Sequence, residues 1–292
     1  MTALVASLTS LPFTQLRRNR YFYLYYDGFW SLLAVTLLGW MYVGHWQGLI
    51  PAWDHRYWLL LPLACHAQIL CSVFIHNATH NNFPRAINRV VGEICGAVVL
   101  TRFASWEVIH QRHHRYSDDL DKDPHPVVSG YWSFLFKTVV GVEMQLQKIY
   151  FELFGDTPEN RAYEKRRAYV SYATNLLLIA TWYFFLGPWA FFMLFVPASV
   201  VGFLHLVHFN WSTHNAFSPE KDFKPVNLDH GYYKIGNLIW FGIYMHANHH
   251  KRANLFNPAK MTPSLPITPK PSAAKKAGQA APAPSGDDQM AA

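Results

Sequence analysis

Sixteen histidines stand in this chain of 292 residues, and half of them fall into three short clusters. His76 and His80 are four residues apart, the spacing that places two side chains on one face of a helix. The i, i+3 and i+4 spacing of His110, His113 and His114 is expected to gather three rings on one side, and His246, His249 and His250 repeat that pattern far downstream. Neutral imidazole is the commonest metal ligand among side chains and suits Fe, Zn, Cu and Ni alike. Eight such groups exceed what one ion takes, so the spacing implies two ions without naming the metal. A lone histidine pair at this spacing is usually an accident of surface or core; three patterns, two of them the same HxxHH, are not. His45, His55 and His66 belong to no pattern and receive no role.

The composition says where such a cluster is built. Apolar residues make up 51% of the chain and charged residues 15%, well under the usual share of about 25%. The formal charge of +7 is spread along the flanks of apolar runs. A nucleic-acid binder gathers its cations on one soluble face, so nucleic acid is excluded as a partner. Cys65, Cys71 and Cys95 form no CxxC pair and read as small buried hydrophobes.

Four runs have spanning length, close to the ~20 residues that cross ~30 Å of hydrocarbon: about Gly28–Gly48, Tyr57–Ile75, Ala168–Leu186 and Trp189–Val207. The first follows the basic stretch Leu16 to Arg20 and lacks a convincing cleavage site, so it reads as a retained anchor. Basic residues between the second and third runs, ending in Lys165-Arg166-Arg167, place that segment and both termini in the cytoplasm. The expected fold is all-α: an integral, multi-pass membrane protein with four transmembrane helices in two hairpins and a cytoplasmic helical cap carrying the histidines. Ala86–Leu100 is too short to span and is interrupted by Gly92 and Gly96, so it is expected along the membrane interface; Tyr131–Phe154 alternates aromatic and charged residues in the same manner. The domain is expected to cover residues 1–261, with a Pro/Ala-rich disordered tail over 262–292.

The order HxxxH, HxxHH, HxxHH around two membrane hairpins resembles the membrane fatty acid desaturase and hydroxylase superfamily, nearest to its acyl-CoA and acyl-lipid desaturases. The run from His113-His114-Arg115-Tyr116-Ser117-Asp118 to Asp123-Pro124-His125 is similar to theirs. So are Phe241-Gly242 before the third box and Asn210-Trp211-Ser212-Thr213-His214. The resemblance covers about residues 25 to 260. It implies a non-haem di-iron centre that uses O2 against unactivated C–H bonds. The ligands it implies are His76, His80, His110, His113, His114, His246, His249 and His250, with His214 as the ninth, and Asn210 holding a metal-bound water. Two features depart from the stearoyl-CoA-type enzymes: three residues rather than four separate His76 from His80, and Tyr131-Trp132-Ser133-Phe134 replaces the usual Ser-His.

The implied reaction puts a double bond into a fatty acyl chain. Within the superfamily the alternatives are a hydroxylase, ketolase or decarboxylase acting on a lipid or terpenoid. A metal transporter is the distant alternative, disfavoured because its ligands belong near the bilayer midplane. Nine neutral imidazoles need carboxylates nearby to orient them and balance charge. Asp118, Asp119, Asp121 and Asp123 are the candidates, with Asp123 favoured by its place in Asp-Pro-His. His205 and His208 read as hydrogen-bonded core histidines ahead of ligands, and Trp106, Trp211, Trp240 and Tyr244 as packing ahead of tunnel walls. No haem, flavin or nucleotide motif is present, so electrons are expected from a separate ferredoxin, rubredoxin or small cytochrome. Lys251 and Arg252 belong to a basic face suited to an acidic carrier.

Overall fold

The computed structural model describes residues 16–117, 119, 121–216 and 224–269. Nine helices carry the site: α1 Phe22–Val43, α2 Leu61–Thr79, α3 Arg85–Val98, α4 Phe103–Tyr116, α5 Tyr131–Phe154, α6 Pro158–Leu186, α7 Val196–Trp211, α8 Tyr232–Ile239 and α9 His246–Lys251. β pairing among the described residues is limited to isolated bridges from Asn227 to Met245 and to Ile267.

Three helical stretches are long and apolar enough to cross a membrane: His55–Thr79, Pro158–Leu186 and Pro188–His214. The expected first span, α1, is 22 residues long but is not among them. Its tyrosines, tryptophans and Asp27 dilute the apolar stretch. Asp27 nevertheless faces inward. It pairs with Arg102 and accepts a hydrogen bond from Ser171 Oγ at 2.8 Å.

The helices run in two parallel pairs. Arg20 bonds Asn160 at 3.0 Å near the start of α1 and α6, Ser31 meets Thr174 at 2.9 Å in the middle, and Trp46 Nε1 reaches Phe185 O at 3.0 Å beyond α1. Along α2 and α7, Gln68 Nε2 donates to Ser199 Oγ at 3.0 Å and the His76 ring lies 6.2 Å from Phe209. A Cβ on Gly202 would come 2.8 Å from that of Gln68, so glycine permits this crossing.

Helix α4 sits where the cores meet. Ala104 and Val108 pack with Phe22, Tyr26, Leu146 and Ile149, while Phe103 packs with Ile75, Ala78 and Cys95. Ion pairs fix it further: Glu107 with Arg89 of α3, and Arg112 with Glu152 of α5, the longer of its two bonds being 2.9 Å. Removing one partner of the buried Arg89–Glu107 pair costs ~3–5 kcal/mol, whereas Glu152 is half-exposed and adds less. Helices α3, α5 and α8 leave apolar faces exposed: Ile87, Val90 and Ile94; Trp132, Phe136 and Val139; Ile235 and Leu238.

The tail segment begins with ordered residues. Leu265 N bonds Asn248 Oδ1 at 2.9 Å, Ser264 Oγ accepts from Asn248 Nδ2 at 3.0 Å, and Thr268 N bonds Asn227 O at 2.8 Å. Residues 262–269, assigned from composition to the tail, thus tie onto the segment that carries the third histidine box. The remainder, 270–292, lies outside the described residues.

Candidate metal centre

Four elements bring the histidines together. Helix α2 ends in His76 and, at its C-cap, His80; α4 supplies His110, His113 and His114; α9 supplies His246, His249 and His250. His214 lies in the π-helical turn Ser212–Ala216 that continues α7. Thr213 Oγ1 and Ser212 Oγ bond back to Phe209 O at 2.8 and 3.1 Å, fastening this wide turn to the helix.

All nine sequence-predicted ligands converge, in two groups. His76, His80, His110, His114 and His249 form one; His113, His214, His246 and His250 form the other, with candidate ligand atoms of each group within 4.8 Å of one another. Neither HxxHH box serves a single point, contrary to the expectation that each gathers three rings on one side. At ~100° per residue, positions i and i+4 lie ~40° apart on a helix, whereas i+3 lies ~60° to the other side. So His110 and His114 turn one way and His113 the other; likewise His246 and His250 part from His249.

The spacings suit metal ions. Nε2 atoms face each other at 3.0 Å for His80–His110, 3.0 Å for His114–His249, 2.9 Å for His214–His246 and 3.2 Å for His246–His250. Two nitrogens ~2.1 Å from one ion at angles of ~90–110° are separated by ~3.0–3.4 Å. His76 Nε2 is buried with no hydrogen-bond partner among the described residues. A bound ion would take up its lone pair instead. Burial pushes the imidazoles of His110, His113, His246 and His249 well below the ordinary histidine range, and that of His114 down to about 3. All remain neutral at pH 7, the form that ligates metal.

Asp123 is where the sequence favoured it. Its carboxylate lies 2.8 and 3.0 Å from His113 Nδ1, and its Oδ1 accepts from His125 N at 2.8 Å. That contact leaves His113 Nε2 to face the second group. Asp119 instead builds the turn, accepting from Asp121 N and Lys122 N at 3.0 Å each, and Asp121 is exposed. Asp118 lies outside the described residues. His205 bonds the Tyr244 hydroxyl at 3.1 Å and His208 stacks on Tyr233 at 6.2 Å; neither joins a group.

Sequence reasoning missed His125, whose ring stacks on His113 at 3.7 Å. Its signal was the same Asp-Pro-His that favoured Asp123. It also missed the asparagines behind the third box. Asn248 N donates to Asn227 Oδ1 at 3.1 Å, Asn227 Nδ2 returns a bond to Asn248 Oδ1 at 3.0 Å, and Tyr244 N donates to Asn237 Oδ1 at 2.9 Å. Before that box, Gly242 holds φ +73°, and a Cβ there would lie 2.4 Å from Asn257 Oδ1.

A cavity of about 320 Å³ lies beside this centre, with none of the nine histidines in its wall. Its inner wall holds Trp106, stacked on His110 at 5.2 Å, together with His125 and Asn210. Asn210 Nδ2 is tied to Leu206 O at 2.9 Å. Trp106, Leu206 and Asn210 also line a much smaller cleft that reaches His76, His110 and His205.

A sequence model of the family described as fatty acid desaturase matches residues 55–255. An sn-1 oleoyl-lipid 12-desaturase of Anabaena variabilis is 31% identical over 105 residues, 33% of this chain and 28% of that protein. Another, from Picosynechococcus sp., is 32% identical over 72 residues, 23% of this chain and 21% of that protein. The matched part thus spans under a third of either relative's length. No solved structure matches. The family match takes in all three histidine boxes, both metal-ligand groups and more than half of the chain: this protein belongs to the fatty acid desaturase family.

Proposed function

We propose that this chain is an O2-dependent oxidoreductase that introduces a double bond into a fatty acyl chain, using two iron ions held by nine histidines. The observation that carries the reading is the convergence of two histidine groups beside a cavity whose wall includes Trp106, His125 and Asn210. Iron would supply the oxidising power to break unactivated C–H bonds. The balance is one –CH2–CH2– unit, O2, two electrons and two protons giving –CH=CH– and two waters.

The protein's own residues position and shield. His76, His80, His110, His114 and His249 would hold one ion, and His113, His214, His246 and His250 the other. Asp123 fixes the tautomer of His113 by accepting its Nδ1–H. Asn210, its N–H2 group tied to Leu206 O, keeps Oδ1 to accept from a water at the inner end of the cavity. Trp106 and His125 stand in the cavity wall next to His110 and His113 and would shield them from water.

The parallel run of α1 beside α6 supports four crossings, because α1 then traverses the same thickness as a membrane-length helix. The histidine ends of α2 and α7, the termini and the basic residues would face the cytoplasm. Ferredoxin, rubredoxin or a small cytochrome would deliver electrons there, near Lys251 and Arg252.

The test is expression in a host followed by mass spectrometry of total lipids and iron analysis of the purified protein. Loss of two hydrogens from an acyl chain and two irons per chain are expected. Gain of one oxygen would instead assign the hydroxylase reading, and one metal per chain would overturn the di-iron centre.

A further inference from the structure

Helix α9 carries three of the nine histidines, yet it is only six residues long. Isolated helices shorter than ~12–15 residues are marginal in water, so its order comes from outside. Two buried asparagines show from where.

Asn227 and Asn248 are both fully buried. Asn227 Oδ1 accepts from Asn248 N at 3.1 Å, an N–H in the first turn of α9 that the helix itself leaves without a partner. The Asn248 carboxamide is saturated. Its Nδ2 donates to Pro258 O at 3.1 Å and Ser264 Oγ at 3.0 Å, and its Oδ1 accepts from Asn227 Nδ2 at 3.0 Å and Leu265 N at 2.9 Å. The neighbours of Asn227 reach two site elements. Val226 N donates to Thr213 O at 2.9 Å, in the π turn beside His214, and Leu228 N donates to Tyr244 O at 2.9 Å, just before α9. Asn227 also bridges to Ile267: its Nδ2 reaches Leu265 O at 3.1 Å, and its carbonyl accepts from Thr268 N at 2.8 Å. Residues 264–268 therefore fasten the segment that joins α9 to the π turn. They lie beyond residues 55–255, where the family matches.

The two histidine groups depend on these elements unequally. His214, His246 and His250, three of the four members of the group with His113, stand on α9 or the π turn. Of the five in the other group, only His249 does; the rest stand on α2 and α4. We propose that residues 264–268 are a strap that positions the His113 group, acting through Asn227 and Asn248, while the His76 group is held largely without it. The proposal rests on the two-ion reading for the metal, but the strap's grip on α9 is measurable without metal.

The purified full chain is titrated with Fe(II) under anaerobic conditions against a competing chelator. Leu265→Pro removes the N–H that Asn248 Oδ1 accepts, whereas Leu265→Ala keeps it; Thr268→Pro removes the N–H given to Asn227 O. Wild type and Leu265→Ala should bind two ions with equal affinities. Each proline protein should keep one ion as tightly and bind the other roughly 10–100-fold more weakly, the range for groups behind metal ligands. In the metal-free proteins, Leu265→Pro should quicken amide hydrogen exchange over α9 and leave α2 and α4 unchanged. Undiminished affinity for both ions, equal weakening of both, or α9 exchange like that of wild type overturns the proposal. A wild type that binds no iron, with α9 exchange still quickened by Leu265→Pro, would keep the strap on α9 and reject the metal centre instead.

Discussion

Asp123 offers a graded test of how the second ion is held. Its Oδ1 accepts from both His113 Nδ1 and His125 N at 2.8 Å, and its Oδ2 adds a contact to His113 at 3.0 Å. In Asp123→Asn the carbonyl oxygen retains both short bonds. The charge is lost and an N–H2 group faces the His113 N–H. In Asp123→Ala both bonds go, leaving a buried Nδ1–H with no acceptor, a cost of ~1–3 kcal/mol. Carboxylates behind metal-bound histidines are worth ~10–100-fold in affinity or activity. We expect Asn near the lower end, about 1.4 kcal/mol, and Ala near the upper. Chelator competition measures affinity and lipid analysis measures turnover. If Ala binds metal as tightly as wild type, or Asn is weaker than Ala, then the carboxylate does not orient His113.

Three further outcomes follow from the same geometry. His208→Ala should keep both metals while His214→Ala loses one, because His208 lies against Tyr233 and outside both groups; metal analysis decides. Asn210→Ala should retain metal, since it removes no ligand, and slow turnover; full activity would show that its amide serves only the Leu206 carbonyl. Gly242→Ala should destabilise by ~1–3 kcal/mol, through the positive φ and the clash with Asn257, read as a lower Tm with partial metal loss.

The convergence of nine candidate ligands was legible because imidazoles gathered in three helical clusters have little use besides holding metal, and because Asn210 to His214 carries its own pattern. The spans were legible where apolar residues are undiluted. At α1 the sequence records an aromatic-rich run with a carboxylate, while only the fold shows Asp27 turned inward onto Arg102 and Ser171. The supports were hidden for a related reason. Asn227, Asn237 and Asn248 act through backbone partners up to 38 residues away, and asparagine has no spacing rule that announces such a contact. Composition likewise gives no sign that Leu265 and Thr268, within the Pro-rich run, bond to Asn248 and Asn227.

The division of each HxxHH box between two histidine groups is the least expected feature, and double substitutions can isolate it. If a box served one ion, any two substitutions within α9 would empty the same site and spare the other. The structure assigns His246 and His250 to one group but His249 to the other. His246→Ala with His250→Ala should therefore leave about one ion per chain, and His246→Ala with His249→Ala should leave none tightly bound. The two proteins differ only in which neighbouring ring is missing, so general damage to α9 falls on both alike. Pairing His246→Ala with His214→Ala extends the test across elements. These residues come from α9 and the π turn after α7, yet their Nε2 atoms lie 2.9 Å apart, and losing both should still spare one ion. Equal metal content in the two α9 proteins would mean that the i+3 histidine does not cross to the opposite ion, and the two-group assignment would fall.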